Sequence, residues 1–265
     1  MINEKGSIVI SLTPSESRRL IAKAVANLDV VQHALQHGTI VIGLGTTNAY
    51  VAEELLRYAS GADKEFEKQR YAAGVITPEG LCVVPKEARI NEIILRNGTV
   101  SKERIGDAIE TLTADDVFIK GANALDATGT AGVLMANRLG GTIGAALGSV
   151  MARGVQFIIP VGLEKTIPYP VADAAKRVGI DRCERTLGWP VGLMPMHGRV
   201  ITELDALKIL GADDAFPIGA GGINGGEGSI VICCEGTLET LDRVLTFVRH
   251  LKGEAPVRVV STDCL

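Results

Sequence analysis

Short runs of aliphatic and β-branched residues alternate along the chain with longer stretches of helical periodicity. Three runs, at residues 38–43, 116–120 and 155–161, are apolar through their centres, as strands buried on both faces are. Helical patterns occupy residues 46–58, 101–112 and 141–153. Strands of this kind, separated by helices, predict an α/β fold built on a Rossmann-like parallel sheet that is covered on both sides.

The remaining elements of the first 188 residues are less regular. Residues 72–77 and 91–95 are further strand candidates, and residues 81–84 compete with the first of these. Ser101 is expected to cap the helix over 101–112. Residues 14–36 predict one long helix that packs on the sheet or against a second copy of the chain. Its apolar stripe consists of Leu20, Ile21, Val25 and Leu28.

The pattern changes near residue 188. Strand-like runs at 191–196, 215–219, 229–234 and 257–260 surround helical patterns at 201–210 and 238–251. The resulting order, βαββαβ, is typical of a ferredoxin-like α+β unit. We therefore predict two domains, a Rossmann-like domain at 1–188 with anion-binding loops and a ferredoxin-like domain at 189–265.

Charge and cysteine content limit the classes of partner. The formal net charge of −4, with no basic face evident, argues against nucleic acid. The most membrane-like stretch, residues 141–163, is interrupted by Arg153 and Pro160, so a helix followed by a strand explains it better than a membrane span. The five cysteines form no CxxC pair and are odd in number. We expect them to be reduced, in a cytoplasmic protein that does not enter a membrane.

The sharpest local motif lies between the first buried strand and its helix. It consists of Gly43, Leu44, Gly45, Thr46, Thr47 and Asn48. Glycines permit a tight turn, the first helical N–H groups lack intrahelical acceptors, and the threonine hydroxyls add donors. The motif predicts a binding loop for a phosphate or carboxylate, although a plain strand-to-helix turn would use the same residues. It matches neither a Walker motif nor a GxGxxG fingerprint.

Polar residues also follow the other two buried strands. Lys120, Asn123 and Asp126 come after residues 116–120, while Glu164 and Lys165 come after residues 155–161. Ligands of open parallel sheets bind at this carboxyl edge, where these groups can bind an anion and its hydroxyls. Gly129 and Thr130, in the run 128–132, form a second anion loop or merely begin a helix.

These segments resemble the NagB/RpiA/CoA-transferase-like superfamily, and most closely its type A ribose-5-phosphate isomerases. The family's GTGST phosphate loop is similar to residues 43–47, its DGADE segment to 120–124, and its KGGG segment to 128–131. The family's lysine after a buried strand is similar to Lys165, and residues 189–196 resemble the opening of its small domain. The resemblance implies a sugar-phosphate site on a Rossmann-like fold.

The chain departs from that family at its acidic positions. The catalytic glutamate falls near Asn137, and an amide cannot abstract a proton from carbon. Asp126 and Glu164 are the nearest replacements for a base. Two hypotheses stay open: an isomerase-type enzyme acting on a phosphorylated sugar or similar small anionic metabolite, or a non-catalytic protein that senses such a metabolite. We expect no cofactor and no metal, and a homo-oligomer, most simply a dimer.

Overall fold

The computed structural model describes residues 4–60 and 66–265, and both α-helices and β-strands run through this part of the chain. The α-helices are α1 Pro14–Ala26, α2 Asp29–His37, α3 Thr46–Ser60, α4 Ile105–Thr111, α5 Gly141–Arg153, α6 Val171–Arg177, α7 Glu203–Ile209 and α8 Leu238–Leu251. The strands are β1 Lys5–Leu12, β2 Thr39–Ile42, β3 Gly74–Thr77, β4 Gly80–Val83, β5 Ile93–Arg96, β6 Thr99–Val100, β7 Val117–Ile119, β8 Ala124–Leu125, β9 Ala131–Met135, β10 Gln156–Pro160, β11 Gly192–Met196, β12 Arg199–Ile201, β13 Asp214–Gly221 and β14 Ser229–Thr237. The protein is therefore a mixed α/β structure.

The largest sheet has six strands in the order β12-β10-β7-β2-β5-β6. Strands β12, β10, β7 and β2 are parallel, whereas β5 and β6 run antiparallel to their neighbours. Alternate residues enter different cores: Ile40 and Ile42 belong to one apolar cluster, and Val41 packs with Phe118 and Phe157 in the other. The predicted strands at 38–43, 116–120 and 155–161 are confirmed, as is their burial on both faces.

The N-terminal helical region differs from the prediction of one helix over residues 14–36. Helix α1 begins with a capping box between Thr13 and Glu16, and it ends at Ala26. Asn27 leaves the helical path and turns its amide back to the Lys23 carbonyl oxygen (2.7 Å), and Leu28 is extended. The chain then restarts as α2. All four residues of the predicted stripe are buried in the protein's own core.

Residues 189–265 do not form the predicted ferredoxin-like sheet. Strand β11 pairs with β9, β12 joins the large sheet beside β10, and β13 and β14 form a sheet with the N-terminal β1. Residues 257–260 are not a strand. Along β1 the apolar residues Ile8, Ile10 and Leu12 alternate with serines and a valine. This alternation gives β1 one buried face, and β1 therefore pairs with β14 in place of any later segment. Strand pairing thus crosses the proposed boundary between 1–188 and 189–265.

Smaller elements also differ in detail. Residues 72–77 and 81–84 do not compete, because β3 and β4 pair with each other as a hairpin. Helix α4 starts after Arg104, and the Ser101 hydroxyl instead bonds Glu103 in the preceding turn. The run 128–132 starts no helix: it is a turn leading into β9. No helix of the described residues is long and apolar enough to cross a bilayer.

A disulfide joins Cys82 to Cys264, which lie 182 positions apart in the sequence. Cys183, Cys233 and Cys234 are free thiols. The prediction that all five cysteines are reduced is therefore wrong for one pair. Spacing alone gave no signal for this bond, because the fold, and not the local sequence, brings β4 and the C-terminal segment together.

Candidate functional site

A cavity of about 1220 Å³ opens at the carboxyl edge of the large sheet. Its floor contains residues 44–47 after β2, residues 120–123 after β7, and Glu164 and Lys165 after β10. The meeting of these three loops is what parallel strands predict, since their carboxyl ends share one edge. The β3–β4 hairpin, residues 140–143 and residues 257–259 add further walls. We call this space the edge cavity.

The loop between β2 and α3 is held from below by backbone hydrogen bonds. The Gly43 amide donates to the Ile119 carbonyl oxygen and the Gly45 amide to that of Tyr71, each at 2.9 Å. The side-chain amide of the buried Asn48 donates to the Gly43 carbonyl oxygen at 2.6 Å. These bonds leave the first N–H groups of α3, at Thr46 and Thr47, at the cavity surface without intrahelical acceptors. The positive end of the helix dipole therefore faces the edge cavity.

Gly43 is required by the close passage of a neighbouring side chain. A Cβ atom at this position would lie 2.9 Å from Cδ of Lys120, which crosses the loop from β7. Such a distance is shorter than packed carbon atoms tolerate. A Cβ at Gly45 would meet only Asn48, at 3.9 Å. Gly43 thus lies behind the cavity wall and makes room for Lys120, whereas Gly45 lines the cavity itself.

Lys120 and Lys165 bring two positive charges to this loop. The Lys120 ammonium donates to the Leu44 carbonyl oxygen at 2.9 Å, and the Lys165 ammonium donates to the Thr47 hydroxyl at 3.3 Å. Burial, together with the nearby charge of Lys165, lowers the pKa of Lys120 to about 8. Burial also lowers the pKa of Lys165, although the Glu164 carboxylate opposes the shift. Two partly buried ammonium groups at one loop favour a bound anion close to both of them.

Arg18 reaches the same place from α1, a helix that sequence reasoning did not connect with the site. Its guanidinium bonds Oε1 of Glu164 at 3.3 Å. Nε of Arg18 and Oε2 of Glu164 are buried without a hydrogen-bond partner, and so is Oδ1 of Asn48. Unsatisfied buried polar atoms are uncommon in proteins and call for an explanation. Arg18 and Glu164 line the cavity, whereas Asn48 is buried behind the loop between β2 and α3.

A second buried carboxylate lies behind the Glu164 turn. Glu203, at the start of α7, accepts the Leu163 amide at 2.9 Å and fixes the 3-10 turn Leu163–Lys165. Burial, reinforced by the charge of Glu164, raises the pKa of Glu203 to about 7. Glu203 was not predicted, because a glutamate at a helix start is an ordinary sequence feature. Its role depends on the turn that it meets in space.

The charge of the cavity lining differs in sign from that of the whole chain. Basic side chains outnumber acidic ones by six to two among the lining residues, although the chain carries a formal charge of −4. The basic residues are Arg18, Lys86, Arg89, Lys120, Lys165 and Arg258; the acidic ones are Glu92 and Glu164. A concave, basic surface on an acidic protein favours an anionic ligand.

Three predicted site residues lie outside the edge cavity. The Asp126 carboxylate accepts from the amides of Thr128, Thr130 and Val171, and from the Thr128 hydroxyl. Burial opposes its charge, but these donors outweigh burial and hold the pKa of Asp126 below its usual value. Gly129 and Thr130 belong to the turn that Asp126 closes. These contacts give Asp126 a structural role, since both oxygens are already occupied.

The other predicted residues line the cavity or support it from behind. The lining includes Gly45, Thr46, Thr47, Lys120, Asn123, Glu164 and Lys165. Asn123 is partly committed, since its side-chain oxygen accepts the Leu134 amide at 3.0 Å. Asn137, the position that the family resemblance equates with a catalytic glutamate, also lines the cavity and bonds the Leu139 amide. No base occupies that position.

Residues 140–142 were missed although the sequence carried a signal. Gly140 and Gly141 have positive φ angles of 76° and 59° and begin α5 at the cavity, much as the glycines of 43–45 precede α3. Thr142 donates to Glu92 at 2.9 Å. A glycine pair before a helical pattern could have been recognised. By contrast, the segment 128–131 matched to the KGGG motif lies away from the cavity.

Among the described residues, Glu79, Cys82 and Cys264 form one group with metal-ligand atoms close together. The two sulfur atoms are bonded to each other, and a disulfide offers no thiolate to a metal. Comparisons of the chain with protein-family models, curated proteins and solved structures gave no match.

Proposed function

We propose that this protein binds a phosphorylated, hydroxyl-bearing small molecule, of the sugar-phosphate class, in the edge cavity. The observation that carries the proposal is the meeting of the Lys120 and Lys165 ammonium groups with the start of α3 on the lining of that cavity. Two lining residues also carry a side-chain atom without a hydrogen-bond partner: Nε of Arg18, which needs an acceptor, and Oε2 of Glu164, which needs a donor. A phosphate supplies acceptors and a sugar hydroxyl supplies donors, so one molecule of this class can satisfy both.

The phosphate is expected at the start of α3. The amides of Thr46 and Thr47, the helix dipole and the ammonium groups of Lys120 and Lys165 converge there. Helix N-termini are common phosphate sites because their N–H groups lack intrahelical partners. The lysine pair compensates the charge of a dianion, and the anion in turn relieves the repulsion between the two lysines.

Glu164 is the acid–base candidate for an isomerase-type reaction. In such a reaction a carboxylate removes a proton from a carbon next to a carbonyl and returns it to the neighbouring carbon. Glu164 lines the cavity next to Lys165, and its Oε2 has no hydrogen-bond partner. Lys120 or Lys165 would stabilise the negative charge that develops on the substrate oxygen. Asp126, the other predicted base, has no free oxygen.

A non-catalytic metabolite sensor is the second candidate. It is favoured by the ion pair that ties the Glu164 carboxylate to Arg18 of α1, and by the amide at position 137. The two candidates share the ligand and differ in one measurement. An enzyme exchanges the substrate's carbon-bound hydrogen with solvent, whereas a sensor does not.

Isothermal titration with ribose 5-phosphate, inorganic phosphate and ribose tests the binding proposal. We expect binding of both phosphate-containing probes and none of ribose. Lys165→Met should abolish it, while Lys102→Met, which removes an exposed lysine outside the cavity, should not. Absence of any heat with both phosphate-containing probes, at millimolar concentration, would contradict the proposal. Proton exchange at C2 of ribose 5-phosphate in D₂O, followed by NMR, then separates enzyme from sensor.

A further inference from the structure

The last residues of the chain form part of the cavity wall. After α8 the chain is fastened near Glu16, which accepts the Gly253 amide at 3.1 Å, and near Tyr50, whose hydroxyl donates to the Ala255 carbonyl oxygen. Residues 257–259 then pass along the edge cavity. Throughout 256–262, all of which the structure describes, no hydrogen bond ties the segment to the rest of the protein. Hydrogen bonds hold the segment at its two ends, and between them Val257 packs against the core.

The far end is fastened to strand β4. Asp263 and Val83 exchange two backbone hydrogen bonds of 2.8 Å each, and Nε1 of Trp189 donates to the Asp263 carbonyl oxygen at 3.0 Å. The Cys82–Cys264 disulfide is the one covalent link there. Asp263 is exposed, so water competes for its hydrogen bonds.

The partner of this segment is itself a small element. Strands β3 and β4 form a sheet of two strands, and such a pair has little stability of its own in water. Residues of both strands line the edge cavity. Leu81 of β4 also forms backbone hydrogen bonds with Leu187 and Trp189, so the disulfide joins the C-terminal segment to a small but anchored hairpin of the same wall.

We infer that the Cys82–Cys264 disulfide is a redox-sensitive fastening that keeps the C-terminal segment 257–265 closed over the edge cavity. A dithiol reductant donates two electrons and two protons: the S–S bond breaks, both cysteines become thiols, and the reductant becomes a disulfide. The segment then separates from β4 and opens the cavity wall. Oxidation reverses the step and restores the closed wall.

Trp189 provides a direct readout, because it is the chain's single tryptophan and bonds the segment through Asp263. Thiol titration of the urea-unfolded protein, which also exposes the buried Cys234, should give three free thiols before reduction and five after it. On reduction we expect the Trp189 emission to move to longer wavelength and its acrylamide quenching to rise by about twofold or more. Tryptic cleavage after Arg258 should accelerate by about tenfold as the segment opens.

Two variants serve as controls. Cys264→Ser should show the reduced behaviour with or without reductant, and Cys183→Ser, which removes an exposed free thiol, should respond like the native protein. If Cys264→Ser does not fold, reduction of the native protein gives the same comparison. Five titratable thiols in the urea-unfolded protein before any reductant is added would overturn the inference. So would unchanged Trp189 quenching and Arg258 cleavage after complete reduction.

Binding of ribose 5-phosphate in both redox states tests whether the segment affects the proposed ligand site. This last step alone rests on the proposed function. The dissociation constant of ribose 5-phosphate should rise by about threefold or more on reduction, because a smaller fraction of the protein is then in the closed state that binds the ligand. Equal affinity in both redox states would overturn this part. A change in Trp189 fluorescence on reduction, without ribose 5-phosphate binding in either redox state, would contradict the proposed function but would still support the redox-sensitive disulfide.

Discussion

The Lys165 ammonium donates to the Thr47 hydroxyl at 3.3 Å, across 118 positions of sequence. This bond joins the loop after β10 to the start of α3, at the carboxyl edge of the large sheet. It places a partly desolvated positive charge where the helix exposes its first N–H groups. The contact shows how parallel strands bring distant loops together in one binding surface.

Lys120→Met should stabilise the protein while removing anion binding. The pKa of Lys120 is lowered to about 8 from 10.5 by burial and by the charge of Lys165. At pH 7 folding therefore places a charged ammonium where its charge is unfavourable, and this lowers the free energy of unfolding. Methionine avoids that cost, and the free energy of unfolding at pH 7 should rise by about 1–3 kcal/mol. Above pH 10.5 neither state of the native lysine is charged, and the gain should vanish. Urea denaturation at both pH values checks this, with Lys102→Met as the exposed control.

Gly43→Ala should weaken binding of inorganic phosphate by about tenfold through displacement of Lys120. The added Cβ would stand 2.9 Å from Cδ of Lys120, so the side chain must move away from Leu44. Gly148→Ala is the matched control, because its Cβ meets nothing within 4 Å and Gly148 lies outside the cavity. Titration calorimetry on both variants measures the difference. Unchanged phosphate affinity in Gly43→Ala would show that the position of Lys120 is not critical.

Glu164→Gln should affect proton exchange, whereas Asp126→Asn should affect the stability of the fold. If the protein is an enzyme, Glu164→Gln lowers C2 proton exchange of ribose 5-phosphate by about 10²–10⁴-fold with binding retained. Asp126→Asn leaves exchange intact but destabilises folding by about 1–3 kcal/mol, because an amide cannot accept all four hydrogen bonds. NMR exchange and urea denaturation measure the two effects. Loss of exchange in Asp126→Asn, with native stability, would assign the base to Asp126.

Glu203→Gln should change how stability depends on pH. The pKa of Glu203 is about 7 in the folded protein, above its usual 4.5, so the folded state keeps a proton that the unfolded chain loses between these values. Native stability therefore falls across this interval as pH rises. Glutamine removes this contribution and still accepts the Leu163 amide. We therefore expect the free energy of unfolding of the variant, relative to that of the native protein, to be about 1–3 kcal/mol higher at pH 8 than at pH 4.5. Parallel curves of stability against pH for the two proteins would contradict the assignment.

The expected homo-oligomer stays a prediction, and the structure narrows the surface that can form it. The α1–α2 stripe is buried within the chain, whereas Val9, Phe216 and Ile218 are exposed on the sheet β1-β14-β13. Light scattering should give about twice the 27.9 kDa of one chain. Ile218→Asp should reduce the mass to one chain, and Val178→Asp, at an exposed apolar position elsewhere, should not. A native mass of one chain at all concentrations would refute the dimer.

The sequence by itself determined β2, β7 and β10 and the loops that follow them. Each strand is an uninterrupted apolar run, and each loop begins with residues whose chemistry is local: glycines before threonines, or a lysine after the last apolar residue. These signals extend over about ten residues, so periodicity and turn chemistry suffice to find them. The loop at residues 43–48 and both lysines of the edge cavity were located from these signals.

Only the tertiary structure decided which distant segments meet. It paired β1 with β14, bonded Cys82 to Cys264, and carried Arg18 from α1 to Glu164. It also placed Asp126 outside the cavity, where the amides of its own turn and of Val171 donate hydrogen bonds to both carboxylate oxygens. Such contacts depend on the packing of the whole chain around the two cores, and no short stretch of sequence encodes that packing.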